Sequence, residues 1–210
     1  MFPDLATLSL FVGAAVLLLV TPGPVVVFVI ARSIDQGRLA GLVSVLGVHL
    51  ASCLHVTAAA VGLSALLVSS ADAFTVVKLL GAAYLVYLGI RRLMEPARAP
   101  DLAGLAPVPL TRLFWQGFVV NLLNPKTALF FLAFLPQFVD PARGSLAGQI
   151  GVLGLLFILL GLVSDSVYAL AAGAIRGWIA KRPRALKIER YASAGTYLGL
   201  GVLTALAKRG

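Results

Sequence analysis

Two ionisable side chains, Lys126 and Asp165, lie well inside long apolar stretches of this 210-residue chain. A charge at bilayer depth costs a few kcal/mol, so each is expected to face a cavity or a partner. There Lys126 can neutralise a carboxylate, and Asp165 can bind an ammonium group or carry a proton. Tyr168 lies one helical turn after Asp165 and can donate a hydrogen bond to it. The structural alternative is that Lys126 and Asp165 only pair with each other.

Two histidines, His49 and His55, share another apolar stretch. Both are candidates for proton coupling, because imidazole changes its charge near neutral pH. Six positions separate them, which turns them about 120° apart on an ideal helix, so one narrow site cannot hold both. The alternative is that each is a hydrogen-bonded packing residue. Arg32 and Asp35 flank the end of the first apolar stretch and are gate candidates, unless they form only a solvated pair.

The composition indicates a membrane protein that positions these residues on spanning helices. Sixty per cent of the residues are apolar and 12% are charged, against about 45–50% and about 25% in soluble domains. The net charge of +9 is spread between apolar runs and not gathered on one face, so no nucleic-acid partner is expected. The single cysteine and the absence of HExxH or paired-carboxylate motifs predict that the chain is not an enzyme and holds no cofactor or metal.

The apolar runs predict an all-α membrane protein with six transmembrane helices, because each run is long enough to cross a bilayer. Their approximate bounds are Leu5–Ala31, Leu39–Ser69, Phe74–Ile90, Leu113–Phe138, Leu146–Ile175 and Tyr191–Ala207. The proline-rich segment 91–112 is a linker between two three-helix units, 1–90 and 113–210. Most Lys and Arg residues lie in the odd-numbered loops, which places the linker in the cytoplasm and both termini outside.

Two spans are interrupted at corresponding positions, the first at Thr21-Pro22-Gly23-Pro24 (the first break) and the fourth at Asn124-Pro125-Lys126 (the second break). Proline opens a helix, and inside a bilayer opened backbone persists only where protein or a wet cavity satisfies it. Three spans per half is an odd number, so related halves must have opposite orientations. The pattern therefore predicts two inverted three-helix repeats with broken first and fourth helices. The alternative is that the prolines only kink the spans.

Each break can also begin a half-helix. Asn124 suits the N-cap and Pro125 the first turn of one, and Gly23 with Pro24 suits the same roles in the other. Helix N-termini present unpaired N–H groups and a partial positive charge, which attract anions. The residues of both breaks, together with Asp165 and Tyr168, are therefore the predicted substrate-binding set, and a substrate carboxylate is expected between the two helix ends.

Three groups of motifs occur in order along the chain. They are Thr21-Pro22-Gly23-Pro24 with Ala31-Arg32-Ser33 and Gly37, then Lys78–Gly89, then Gly117-Phe118 with Asn121–Lys126 and Phe134–Phe138. Together they resemble the LysE/RhtB amino-acid exporters over nearly the whole chain. The resemblance implies export of amino acids or derivatives from the bacterial cytoplasm across the inner membrane, in exchange for protons. It also favours His55 over His49, since that family often has a histidine in this part of the helix.

Several functions remain open at this point. One basic and one acidic residue suit a zwitterion, which favours a secondary exporter of neutral amino acids resembling threonine or homoserine. The alternatives are a passive channel or facilitator for small solutes, and a divalent-metal exporter, although metal export calls for several ligands at one site. The expected partners are an amino acid, protons and the lipid bilayer. The Gly-x-x-x-Gly pair Gly195 and Gly199 is compatible with a homodimer without establishing one.

Overall fold

The computed structural model describes residues 4–69 and 108–174, together with isolated helical positions between 76 and 94 and at 202. The predicted third span, sixth span and most of the linker, with the Gly195 and Gly199 pair, lie outside the described residues apart from those positions. In the two continuous ranges every regular element is helical. The all-α prediction is confirmed at that level, and the inverted repeat stays a prediction.

Six α-helices account for the continuous ranges. They are α1 (Leu5–Val20), α2 (Pro24–Gln36), α3 (Arg38–Ser69), α4 (Leu110–Leu122), α5 (Pro125–Leu129) and α6 (Leu146–Ala174). A π-helical turn at Phe130–Phe134 and a 3₁₀ turn at Leu135–Phe138 continue α5, and a second 3₁₀ turn covers Pro141–Arg143. These bounds agree closely with the predicted second and fifth spans, which are α3 and α6.

The first and fourth predicted spans are both broken. The axes of α1 and α2 differ by 50°, and the axes of α4 and the Pro125–Phe138 segment also differ by 50°. By length and apolar character α3 and α6 can each cross a membrane alone, and each bent pair can serve as one further span. The described residues thus contain two candidate spans, or four when each bent pair counts as one.

The helix ends follow from local sequence. Asp4 caps α1 by accepting a hydrogen bond from the Thr7 backbone N–H at 2.8 Å, and this bond lowers the pKa of the Asp4 carboxyl. At the other end of this pair of helices, Gly37 separates α2 from α3 with a φ of 91°, a conformation that favours glycine. The chain therefore passes from α2 to α3 through a single residue.

A close helix contact joins α3 to α4 through two reciprocal glycines. A Cβ at Gly47 of α3 would overlap the Phe114 carbonyl oxygen, and a Cβ at Gly117 of α4 would overlap the Ser44 carbonyl oxygen. Small residues of this kind let helix backbones approach inside a membrane. The contact brings the last turn of α4, which precedes the second break, directly against the middle of α3.

Large apolar side chains form exposed stripes at four-residue spacing. On α3 they are Leu46, Leu50 and Leu54, which are 56%, 41% and 47% exposed; on α6 they are Leu155, Leu159, Val163 and Val167. Residues four apart share one helix face, and contiguous apolar faces of this size mark contact with lipid or another protein. The opposite faces of α3 and α6 carry the buried polar residues.

A cluster of phenylalanines packs beside the second break. Phe130 and Phe131 of the π-helical turn contact Phe157 of α6, with the ring centres of Phe130 and Phe157 4.6 Å apart. Phe11 of α1 contacts Phe130 at 5.9 Å between ring centres. The cluster fixes the segment after the second break against both α1 and α6.

Candidate functional site

The second break is a capped helix start, as predicted. Asn124 is the N-cap of α5, and its Oδ1 accepts a hydrogen bond from the Lys126 backbone N–H at 3.1 Å. Pro125 takes the first helical position, where its missing N–H leaves no bond unmade. Lys126 follows and is only 7% exposed. The break therefore delivers a lysine to the protein interior.

The first break has the same organisation. Gly23 is the N-cap of α2 and Pro24 is its first residue, which confirms the predicted roles. Carbonyl groups at the end of α1 accept hydrogen bonds from other parts of the chain. One of them is the Thr21 carbonyl oxygen, to which the Lys126 ammonium donates at 2.6 Å. The backbone N–H groups of Val25 and Val26 lie in the first turn of α2. They have no carbonyl partner within their own helix, because no helical turn precedes them. The two breaks are thus in direct contact through Lys126.

Asp165 forms a buried pair with His49. Its Oδ2 lies 3.1 Å from Nε2 of His49, and the side chains are 5% and 6% exposed. The sequence had pointed to Lys126 as the natural partner of Asp165. The structure corrects this, because the hydrogen bond at Asp165 goes to α3, while that of the Lys126 ammonium goes across the breaks to Thr21.

His55 and Tyr168 both bond to groups other than Asp165; this corrects the expected Tyr168 hydrogen bond, while the proton-coupling role of His55 stays a prediction. His55, the favoured histidine, has its Nε2 3.1 Å from the Asn121 backbone oxygen and stacks on Phe131. Tyr168 donates its hydroxyl proton to the Val20 carbonyl oxygen at 2.7 Å, and not to Asp165. The rotation of each helix about its axis determines which of its side chains can reach Asp165, and packing against the neighbouring helices sets that rotation. His49 and not His55 therefore faces the acid, and Tyr168 supports the end of α1.

A hydrogen-bonded network that the sequence analysis did not identify joins α3 to the second break. The Asn121 amide nitrogen donates to the Val48 carbonyl oxygen at 2.8 Å and to Ser52 Oγ at 2.9 Å. Its Oδ1 accepts from Thr127 Oγ1 at 2.8 Å, and Thr127 Oγ1 accepts from the Asn124 amide at 3.0 Å. A useful signal was the polar Asn121 one turn before Asn124 in an otherwise apolar stretch.

These groups surround one cavity of about 40 Å³. Its lining combines both breaks, the buried pair, part of the amide network and an apolar wall: Leu18, Leu19, Gly23, Val25, Val26, Val48, His49, Ser52, Asn121, Asn124, Lys126, Thr127, Phe157 and Asp165. Space of this size holds water molecules. Lys126 and Asp165 therefore line the same cavity although each is hydrogen-bonded to another group.

The gate candidates lie apart from this cavity. Arg32 is eight residues after Pro24, a separation of roughly 12 Å along a helix. Its guanidinium donates to Gln116 Oε1 at 3.1 Å and lies over the Phe28 ring at 5.7 Å. Among the described residues, Oδ2 of Asp35 is buried and has no hydrogen-bond partner. The hydrogen bond of Arg32 goes to α4 and not to Asp35, which disfavours the alternative of a simple pair. The gate role of the two residues stays a prediction.

Within residues 4–69 and 108–174, no three His, Cys, Asp or Glu side chains lie close enough together to hold a metal ion. The His49 and Asp165 pair supplies two such groups, and His55 is hydrogen-bonded elsewhere. This part of the chain gives no support to the metal-exporter alternative.

Comparison with known proteins places the chain among transporters. Residues 16–208 match the LysE type translocator family. A homoserine/homoserine lactone efflux protein of Salmonella typhimurium is 35% identical over 193 residues, covering 91% of this chain and 92% of that protein. A leucine efflux protein of Salmonella choleraesuis is 30% identical over 131 residues, or 62% of each chain. An uncharacterized membrane protein of Vibrio cholerae is 31% identical over 196 residues, covering 92% and 94%. No solved structure matches the chain.

Proposed function

This chain belongs to the LysE type translocator family, and on that basis we propose that it is a secondary active exporter of small amino acids or their derivatives. Neutral amino acids of the homoserine or threonine type are the favoured substrates, and protons are the coupling ion, in antiport. The protein works in the bacterial inner membrane with both termini outside.

The observation that carries the proposal is a cavity whose lining includes both a cation and a carboxyl group. Lys126 and Asp165 both line it, and both are more than nine-tenths buried. An amino acid is a zwitterion, and each of its charges would lose its hydration shell on entering such a site. Opposite charges already present in the cavity lining offset that loss.

The two ends of the substrate have separate places in this arrangement. The carboxylate lies near Lys126 and the first-turn N–H groups of α2, because a cation and a helix N-terminus both attract anions. The ammonium group lies near Asp165. An apolar wall that includes Leu18, Val26 and Phe157 faces the substrate side chain. The names of two similar proteins, homoserine and leucine efflux, support a neutral amino acid.

Movement at the two breaks gives access to the site. Export requires the site to open to each side of the membrane in turn, and the bent pairs are the elements that move. An inverted pair of three-helix repeats, 1–90 and 113–210, provides two similar gates that open to opposite sides, while the linker 91–112 joins them in the cytoplasm.

The test is exchange of labelled homoserine, threonine, leucine and lysine across liposomes that contain the purified protein, with manganese as a metal probe. Lys126→Met keeps the apolar stem and removes the charge, and we expect its KM for homoserine to rise about 10- to 100-fold, as for loss of a charged hydrogen bond. Arg112→Met, which removes an exposed cation from α4, is the matched control and keeps the original KM. Exchange of manganese without any amino acid would contradict the proposal.

A further inference from the structure

We propose that the coupling proton binds at Nδ1 of His49, and that Gly161 is the positioning residue that holds this imidazole against Asp165. The inference rests on the proposed exporter function and adds the atom that exchanges the proton. It also explains how proton and substrate compete for the same pair of residues.

Gly161 leaves the space in which the imidazole lies. It precedes Asp165 by four residues on α6, so the two share one helix face. A Cβ at Gly161 would lie 2.5 Å from Cε1 and 3.3 Å from Nε2 of His49. The first distance is too short for any carbon contact, and the same Cβ would also lie 3.3 Å from Leu19 Cδ2. A Cβ here therefore forces the His49 ring and α6 apart, and because Asp165 is on α6 this alters the contact between His49 and Asp165.

The hydrogen bond at Asp165 determines which nitrogen of the ring remains available. We assign Asp165 as a carboxylate, which only accepts hydrogen bonds; in that assignment Nε2 of His49 carries the proton of this bond and Nδ1 keeps its lone pair. In the part of the chain that the structure describes, Nδ1 is buried and has no hydrogen-bond partner. A proton added to Nδ1 in this conformation would have no acceptor. Binding of the proton must therefore accompany a rearrangement that brings water to Nδ1.

The proton step is simple to write. A hydronium ion gives its proton to the Nδ1 lone pair and becomes water, and the imidazolium keeps its Nε2–H bond to the Asp165 carboxylate. On the other side of the membrane the proton returns from Nδ1 to water, and no other bond changes. The pair has a charge of −1 before the step and zero after it.

This change of charge links the proton to the substrate. The pair at −1 attracts the substrate ammonium group, and the neutral pair does not, so proton and amino acid exclude each other, as antiport requires. The other charged group at the cavity is Lys126, from α5. The cavity-lining residues of α1, α2 and α4 carry no charge. Of the nearby groups on the same helices, His55 bonds the Asn121 carbonyl and Tyr168 bonds the Val20 carbonyl.

Gly161→Ala and Gly151→Ala form a matched pair of variants on α6, because a Cβ at Gly151 meets no atom within 4 Å. Each is tested in liposomes for homoserine counterflow at equal pH and for acceleration of export by a pH gradient. We expect Gly161→Ala to keep counterflow but lose the acceleration, and Gly151→Ala to keep both. Retained acceleration in Gly161→Ala would overturn the proposal. Absence of counterflow in the unaltered protein would instead refute the exporter function itself.

A second measurement does not depend on transport or on the stability of Gly161→Ala. The chain has two histidines, so nitrogen-15 spectra of the histidine-labelled protein in bilayers contain two imidazoles, and His55→Gln assigns them. We expect the unaltered protein at high pH to show His49 with a proton on Nε2 and none on Nδ1, and Nδ1 to gain a proton as the pH falls. A ring protonated on Nδ1 at high pH, or one that never titrates, would overturn the proposal.

Discussion

Asn121→Leu tests the network that positions the second break. The substitution keeps the approximate volume of the side chain and removes its amide. Three side-chain hydrogen bonds are lost, to the Val48 carbonyl, to Ser52 and from Thr127. Hydrogen bonds between membrane helices contribute about 0.6 kcal/mol each on average, so we expect the free energy of unfolding to fall by about 2 kcal/mol.

Denaturant unfolding in detergent micelles measures this loss. Thr57→Val is the control, because Thr57 is exposed and makes only a local bond to the Cys53 carbonyl at 2.9 Å; its effect should stay below about 0.5 kcal/mol. Asn121 also holds Thr127, which bonds the Asn124 cap of the lysine-bearing helix. We therefore expect a higher KM for homoserine in Asn121→Leu. An unfolding free energy and a KM equal to those of the unaltered protein would refute the network's role.

Three further predictions concern helix contacts and ends. Gly117→Ala places a Cβ against the backbone of α3 and should lower the free energy of unfolding by at least about 1 kcal/mol. The control is Gly13→Ala, whose Cβ meets nothing within 4 Å and which should leave that free energy unchanged. Equal effects of the two variants on unfolding in micelles would contradict the close contact. Tyr168→Phe removes the bond to the Val20 carbonyl and should speed amide hydrogen exchange at the first break. The pH gradient should still accelerate export by this variant. Unchanged hydrogen exchange would show that the bond is unimportant. The hydrogen bond from the Thr7 backbone N–H lowers the pKa of Asp4. The stabilisation of α1 by this cap is therefore fully present above the ordinary carboxyl pKa and is lost as the pH falls through the lowered value. Asp4→Asn should remove this pH dependence from amide exchange at the start of α1.

The helix breaks could be predicted because their cause is local. Asn124 followed by Pro125, and Gly23 followed by Pro24, each combine a cap with a residue that suits the first turn. These dipeptides specify where a helix begins whatever packs against it, and the structure has helices that begin at Pro125 and Pro24. The long apolar runs fixed α3 and α6 for a similar reason, since a run of that length has no other stable form in lipid.

The pairing of polar residues could not be predicted in the same way. The sequence places His49 and His55 on different faces of α3, but only the packing of α6 and α4 decides which face meets Asp165. Apolar side chains surround both α3 and α6, so periodicity did not reveal the buried face. Asn121 was missed because an amide in an apolar stretch shows its importance only through the partners it finds.

The most direct test of the central proposal is homoserine export from liposomes under an imposed pH gradient, with Asp165→Asn beside Asp140→Asn as a control from the partly exposed loop after the second break. We expect the gradient to accelerate export by the unaltered protein and by Asp140→Asn, and to have no effect on Asp165→Asn. A rate of homoserine flux that is the same with and without the gradient, and the same in Asp165→Asn as in the unaltered protein, would contradict the proposal. It would identify the protein as a passive facilitator.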